Sequence, residues 1–526
     1  MTDVVLTADR TLMTDYAGVP LLGHIACLPD RLVPNFLLNL LLPKIKDGQS
    51  TYALRRIEAK LLEGGFDVKI IPPQNIKKIN ELKPKIVGIS TVDPFTRKPH
   101  PWTLTNILGG GESVTQKEFI RLCNSLNELK RKYSFKIIVG GPGASEFETN
   151  KKYLNLIDSY VLGPGEGSID LFKMALKNEK LPKKFVSKSI GLNEISIIKG
   201  PARMGHVQLT QGCPRGCMFC GPTLLKWLSF PKQRILEEIK INFKHGIKYL
   251  SLITEDLFLY GSKDVEVNHK AVVDLISSID KLRKKYNVYA TNISDVSVAS
   301  TIKGKRTCKE ISDIMGFSTK NPADTIIGVE SGSEKLIKKY MDGKAKPYNS
   351  NNWRELVETA INILNDNYWY PLCQLITGLP GETEEDVIKT LDLIDNLKDN
   401  KLYYYIFYFV PMEGSGLEKS DFFHFDDITE RRWELFYKCW ITTIRSIRDY
   451  NLISSMQLTR GISKKERTIG KIYGYIMNKA LSEIENELNR YKTDPFAIRE
   501  AYSSVNLKGF KILKFLSTYY LRNKIN

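Results

Sequence analysis

Three cysteines, Cys213, Cys217 and Cys220, fall in one short run, Gln211-Gly212-Cys213-Pro214-Arg215-Gly216-Cys217-Met218-Phe219-Cys220-Gly221, and no other feature restricts the chain as much. Thiolate is the soft ligand that iron–sulfur clusters take, so three of them this close can hold three irons of a 4Fe–4S cluster. No fourth cysteine stands at a comparable spacing. The fourth iron would then take an outside ligand, and an open coordination position is where chemistry occurs, as in catalytic zinc sites. A three-cysteine zinc knuckle is the competing reading, but no histidine follows at zinc-finger spacing. Gly212, Gly216 and Gly221 allow a backbone to wrap closely around a cluster.

A chain of 526 residues exceeds one ordinary core, so two or three domains are expected. Eight cysteines, three of them in one loop, do not make a secreted disulfide scaffold. The other five (Cys27, Cys123, Cys308, Cys373, Cys439) are scattered and read as buried thiols. The start, Met1-Thr2-Asp3-Val4, lacks a signal pattern, and an oxygen-sensitive cluster suits a reducing cytoplasm. The formal net charge of +18 calls for an acidic partner or surface. With no compact nucleic-acid module in view, a membrane surface ranks first and nucleic acid second. The apolar run Phe36–Leu42 ends at Pro43 and is too short to span a bilayer, so any membrane contact is peripheral.

Residues 1–195 read as an open α/β domain. A helical stretch from Leu54 ends at Gly64-Gly65, and strands follow at Val68–Ile71, Lys85–Thr91, Phe135–Val139 and Ser159–Leu162, with a helix over Phe119–Lys132. The later strands break into Gly140-Gly141-Pro142-Gly143 and Gly163-Pro164-Gly165-Glu166-Gly167. That order predicts a doubly wound parallel sheet with its site at the carboxyl edge. Residues 200–418 alternate strand and helix again, with strands at His206–Thr210, Tyr249–Asp256, Val288–Asn292, Thr325–Ser333, Pro371–Thr383 and Tyr403–Val410, which predicts a barrel or partial barrel. Residues 419–526 read as helical, with Trp433, Phe436, Tyr437 and Trp440 grouped early and a basic, aromatic end over 508–522. That end suits either an interfacial helix or a helix packed on the barrel.

The C-x3-C-x2-C run, with the repeated strand-end polar groups behind it, resembles the radical S-adenosylmethionine (SAM) enzymes. The glycine-loop domain ahead of it resembles the cobalamin-binding domain of a large subgroup of them. The resemblance implies a doubly wound cobalamin-binding-like domain, a radical SAM partial (β/α) barrel and a helical C-terminal region. It implies a 4Fe–4S cluster on Cys213, Cys217 and Cys220 that chelates SAM and, once reduced, cleaves it to a 5′-deoxyadenosyl radical. By the same resemblance Glu255 and Asp256 hold the SAM amino group, Glu330 and Ser331 contact its ribose or carboxylate region, Gly378 and Pro380 let the backbone approach adenine, and Phe219 lies near that base. The bland reading of these carboxylates is helix capping or surface pairing, and for Glu382 that reading is preferred, as an N-terminal residue of the following helix. Cobalamin would lie in a crevice lined by Asp93, Gly141, Pro142, Gly143, Gly165, Glu166 and Gly167. The familiar Asp-x-His-x-x-Gly motif is missing, since His24 and His100 are the only histidines there, so no histidine of that motif holds the lower face.

Two families share this plan: archaeal tetraether lipid ring synthases and cobalamin-dependent C-methyltransferases, including those acting on a protein glutamine. The basic balance, the 508–522 end and the Phe36–Leu42 run favour ring formation in membrane lipids, with an apolar lipid substrate met at the inner membrane face and a ferredoxin or flavodoxin as reductant. A cluster-bearing nucleic-acid-binding protein without catalysis is the third reading, and it would show no SAM cleavage.

Overall fold

The computed structural model describes residues 2–449 and 478–503, except 15, 17–19, 34, 36–37, 40–41, 43–44, 46–47, 289 and 480. The chain divides into two compact units. One is built mainly from residues 1–207 and the other mainly from 208 onward, and the division places the helix Glu430–Asp449 in the second unit.

Six parallel strands form the sheet of the first unit: β1 Val4–Ala8, β2 Val68–Ile70, β3 Ile86–Ser90, β4 Lys136–Gly140, β5 Ser159–Leu162 and β6 Lys184–Val186. Their order is β2-β1-β3-β4-β5-β6. Strand alternation sends Val5, Val87, Ile89, Ile137 and Val139 to one face, where Phe119, Leu122 and Leu126 of the Val114–Lys130 helix cover them. Val4, Leu6, Ala8, Ile86 and Ile138 point the other way, onto Leu54 and Leu61 of the Tyr52–Glu63 helix and Leu171 and Phe172 of Ile169–Leu176. Both faces are dry, so these strands read as unbroken apolar runs. The expected doubly wound sheet is present with two strands more than the sequence pattern marked: β1, between β2 and β3, and the edge strand β6. Ser113 caps the Val114–Lys130 helix by accepting from Gln116 N at 3.2 Å, so that helix begins earlier than its periodicity suggests. Between β1 and β3 the strand order reverses, the place where such sheets bind ligands.

In the second unit one sheet runs β11-β10-β7 and another β12-β13-β14-β15. Their strands are β7 His206–Gln208, β10 Tyr249–Ile253, β11 Ala290–Ile293, β12 Asp295–Val296, β13 Ala323–Glu330, β14 Trp369–Thr377 and β15 Tyr403–Tyr408. Only Ser294 separates β11 from β12, and it bridges the sheets by accepting from Ile326 N at 2.8 Å. The pairs β10–β11, β12–β13, β13–β14 and β14–β15 are parallel, and helices follow the strands, as in a partial barrel. A short antiparallel pair, β8 Thr210–Gln211 with β9 Leu228–Ser229, closes the base of the loop that carries the three cysteines.

The Glu430–Asp449 helix is tied to β15, since Tyr404 N donates to Thr443 Oγ1 (2.8 Å) and that hydroxyl donates to Tyr404 O (2.7 Å). Trp433 and Phe436 are buried on it, with Phe436 edge-on to Tyr408 at 5.2 Å. Residues 508–522 lie outside the described residues, as do four of the seven in Phe36–Leu42. Leu38 and Leu42 of that run are buried. Among the described residues no helix is long and apolar enough to cross a membrane.

Candidate functional site

The Cys213–Cys220 loop is held from both sides. Arg215, inside it, donates to four acceptors: its Nη1 lies 3.2 Å from the carbonyls of Gly343, Lys344 and Lys346, and its Nη2 lies 3.3 Å from Asp256, just past the end of β10.

 The Arg215 Nε–H is buried with no acceptor among the described residues. The Arg215–Asp256 pair is almost wholly shielded from water, its side chains 3% and 1% exposed. Gly343 lies so close to the Arg215 carbonyl that a β-carbon there would collide with it. The loop is thus fastened to a segment more than a hundred residues further along.

That segment carries a residue the sequence reading missed. Lys344 Nζ donates to Glu330 Oε1 at 2.7 Å and to the Gly328 carbonyl at 3.1 Å. Burial works against its charge, but the Glu330 carboxylate together with the Cys217 and Cys220 thiols holds the ammonium above the ordinary lysine range. Glu330 sits at φ +66°, beside an irregularity in the β13–β14 register at Gly328 and Glu330. Such a conformation in a residue other than glycine is costly and marks functional positions. Burial pushes all three loop thiols up, Cys217 to about 11, while the positive charge of Lys344 pulls each of them back. All three thiols are free of disulfides.

Of the predicted SAM contacts, Asp256 takes the bland role. Its carboxylate accepts from Ser297 Oγ (2.6 Å), Ser300 Oγ (2.8 Å) and Phe258 N (3.2 Å) besides Arg215, so no oxygen is left for a ligand ammonium. Glu255 is different. It is open to solvent, and among the described residues no protein donor reaches its carboxylate, yet the protein around it desolvates the group and pushes it up to about 7. Asp295 at the start of β12, also missed in the sequence, is raised to about 8 by burial and by the charge of Glu255. Ser331 is buried, and its hydroxyl is hydrogen-bonded to Thr390 Oγ1 at 3.2 Å and accepts from Ser333 N at 3.1 Å, a structural role. Phe219, between Cys217 and Cys220 in the chain, is half-buried.

Gly378 and Pro380 lie in the turn after β14. Gly378 has φ +84°, and Phe423 fills the space a side chain would need. Residues 378–381, with Phe422, Phe423 and Arg432, line a cavity of about 390 Å³. Glu382 does not serve the helix dipole as expected. Thr383 and Asp386 cap that helix, while Glu382 is buried and accepts from Gly378 N (2.7 Å), Thr377 Oγ1 (2.9 Å) and Arg432 Nε (3.2 Å), holding the turn.

In the first unit the glycine loops do follow strand ends. Their close approaches are to the chain itself: Gly141 to Thr91, Gly143 to Val92 and Pro94, Gly165 to Ile57, and Gly167 to Lys188. Pro142 joins the first two and Glu166 pairs with Arg56. Asp93 Oδ1 accepts from Arg97 N at 2.7 Å, and burial raises its carboxyl to about 6 and that of Glu146 well above the ordinary range. At the strand-order reversal, buried Thr91 Oγ1 and Asp9 Oδ2 have no partner among the described residues, an arrangement that fits a ligand bearing amide donors. His24 Nδ1 and His100 Nε2 lie 3.0 Å apart, and burial lowers His24 to about 4.

Residues 207–394 match the radical SAM superfamily. The chain carries a radical SAM domain. Such domains use a 4Fe–4S cluster and SAM, and the donor set here fits both: three free thiols, an unfilled Arg215 N–H beside them, and an unpaired carboxylate at Glu255. Among the described residues no three His, Cys, Asp or Glu side chains converge as ligands of one ion, whereas a cubane takes each thiolate on a different iron. The tRNA-2-methylthio-N(6)-dimethylallyladenosine synthase of Treponema denticola is 24% identical over 311 residues, 55% of this chain and 64% of that protein. The ribosomal protein uS12 methylthiotransferase RimO of Pseudothermotoga lettingae is 28% identical over 205 residues, 38% of this chain and 44% of its own length. Among solved structures, the radical SAM methyltransferase TsrM from Kitasatospora setae, with cobalamin and a 4Fe–4S cluster bound, shares the fold. Its TM-score is 0.52 at 13% identity, over 80% of this chain and 74% of that one.

If Glu255 holds the SAM ammonium, Glu255→Gln weakens SAM binding about ten- to a hundredfold, the worth of one charge-assisted contact. Because the carboxyl titrates near 7, wild-type affinity falls as pH drops below that value and levels off above it. The Gln variant lacks this dependence. Calorimetric titration between pH 6 and 8.5 checks both, and equal affinities with equal pH profiles would move the ammonium site elsewhere.

Proposed function

We propose that the protein is a radical SAM enzyme that methylates an unactivated carbon with cobalamin as the methyl carrier. The observation that carries this reading is the fold likeness over 80% of the chain, which extends well beyond residues 207–394 to the doubly wound sheet. When bound, the cluster and SAM supply a carbon-centred radical and the corrinoid supplies the methyl group. Cys213, Cys217 and Cys220 bind the cluster, Lys344 offers the SAM carboxylate a cation held in place by Glu330, Glu255 offers its ammonium a partner, and Phe219 and the Gly378 turn shape the base pocket. Thr91 and Asp9 receive amide donors at the strand-order reversal of the first sheet. The relatives' names support transfer of a methyl-containing group, though the aligned stretches cover 64% and 44% of them.

Ring formation in a membrane lipid is the second reading, favoured by the net charge of +18. Its other supports, residues 508–522 and most of Phe36–Leu42, fall outside the described residues. One experiment separates the two. Protein produced with abundant cobalamin is incubated anaerobically with methyl-labelled SAM and cell extract, which is then divided into protein, RNA and lipid. Methylation predicts corrin absorption in the isolated protein and label in one fraction. Unlabelled lipid lighter by two hydrogens per ring, with salt-sensitive binding to anionic vesicles, would replace it with ring formation, and full activity without a corrin would leave the cobalamin domain as fold alone.

A further inference from the structure

Strand alternation gives β15 two sides with different company. Tyr404, Ile406 and Tyr408 are buried, and Tyr408 meets Phe436 of the Glu430–Asp449 helix, so this side faces the helix. Tyr403, Tyr405 and Phe407 alternate with them, stay half-buried and face the inner side of the partial barrel. Residues paired in register point the same way, which carries that inner side across the sheet. Phe407 pairs with Ile376 and Tyr405 with Gln374 of β14, and Gln374 pairs in turn with Gly328 of β13. The rings of Tyr405 and Phe407 lie 4.6 Å apart at an angle of 39°. On this wall Gln374 is half-buried between Leu372 and Ile376, and among the described residues nothing donates to its carboxamide or accepts from it. An amide held in apolar surroundings without a partner costs free energy, which a ligand offering both a donor and an acceptor recovers. Its neighbour Gly328 has to be glycine, because a β-carbon there would collide with Glu330 and Lys344. The Lys344–Glu330 pair therefore lies over Gly328 on the inner side, about 4.8 Å from Gln374, one strand spacing.

Granted the methylation reading, on which this rests, we propose that Gln374 is a substrate-positioning residue that hydrogen-bonds the edge of an RNA base stacked on Tyr405 and Phe407. A carboxamide presents a donor and an acceptor side by side, and a base edge returns the same pattern, as when glutamine pairs with adenine. The two rings give a base a face to stack on. Enzymes that act on a base swing it out of the strand into a pocket and read it by these two contacts. The base of SAM is served elsewhere, by Phe219 and the Gly378 turn, so this wall is left for a second flat group. Its place one strand from Lys344 and Glu330 sets that group beside SAM. The phosphates of the strand remain outside the barrel, and the formal net charge of +18 suits them. A peptide amide could meet the same carboxamide, but it brings neither a ring to stack nor phosphates.

The test incubates reconstituted, cobalamin-loaded full-length protein anaerobically with methyl-labelled SAM and either total RNA or total protein from cells lacking this chain. The variants are Gln374→Leu, Gln374→Asn and Tyr405→Leu, each checked for iron content and SAM affinity. The expected result is label in one nucleoside of the digested RNA and none in protein. Gln374→Leu and Tyr405→Leu then raise KM for RNA at least tenfold, with iron content and SAM affinity as in the wild type. They also release more 5′-deoxyadenosine per methyl transferred, because a misplaced carbon lets the radical go to waste. Gln374→Asn, which keeps the amide, falls between Leu and the wild type. Label in RNA with an unchanged KM and yield in Gln374→Leu would overturn the proposal. So would lost iron or SAM affinity in that variant, which assigns Gln374 to support of the cofactors. Label in protein alone overturns the RNA base and leaves methylation standing, whereas SAM cleavage with no label in either removes the methylation reading and this one with it.

Discussion

Replacing Cys213, Cys217 or Cys220 by Ala removes the cluster: anaerobically reconstituted wild-type protein carries about four irons, the number a 4Fe–4S centre requires, and each variant falls far below that and loses reductive SAM cleavage. The reason is the ligand count. Each thiolate holds a different iron, so losing one leaves two irons without protein ligands, counting the iron already open. Iron and sulfide analysis with the low-temperature spectrum of the reduced protein checks it. Zinc in place of iron, or a Cys213→Ala variant with full SAM cleavage, would sink the assignment.

Arg215→Ala lowers stability by about 3–5 kcal/mol, since it leaves Asp256 as an unpaired charge where the pair is 3% and 1% exposed. An exposed ion pair would cost no more than about 1 kcal/mol, so the two outcomes separate clearly in denaturant unfolding of the iron-free protein. Arg215→Lys keeps the charge but not the fork that spans three carbonyls and a carboxylate, and it falls between. Replacing Asp256 by Asn in the Ala variant recovers part of the loss, because the orphaned charge is then gone. A drop below about 1 kcal/mol for Arg215→Ala would show that the pair is not the fastening described here.

The position of the cysteine loop, the alternation of strand and helix and the order of the two α/β regions were legible in the chain, because each depends on residues close together in sequence. A spacing of thiols, or an apolar run bounded by glycines, acts over one turn or one strand. In the first sheet two strands escaped notice: β6, three residues long and exposed at the sheet edge, where no apolar run is required, and β1, a wholly buried run of five residues that the pattern reading passed over. Local pattern also assigned the strand-end carboxylates as a group, and here it reached its limit. Glu255 and Asp256 are neighbours in sequence, yet one is open to solvent and the other is consumed by Arg215, Ser297 and Ser300.

What the sequence alone determined, then, is the donor set and its order: three thiols on one loop behind a strand, with carboxylates at later strand ends. Which of those carboxylates is free, that Lys344, held by Glu330, puts its charge near the thiols, and that Glu382 holds a turn rather than a helix end were decided only by tertiary structure. The physical reason is that a buried charge must find its partner wherever the fold brings one, and the partners here come from segments whose separation in the chain carries no local signal.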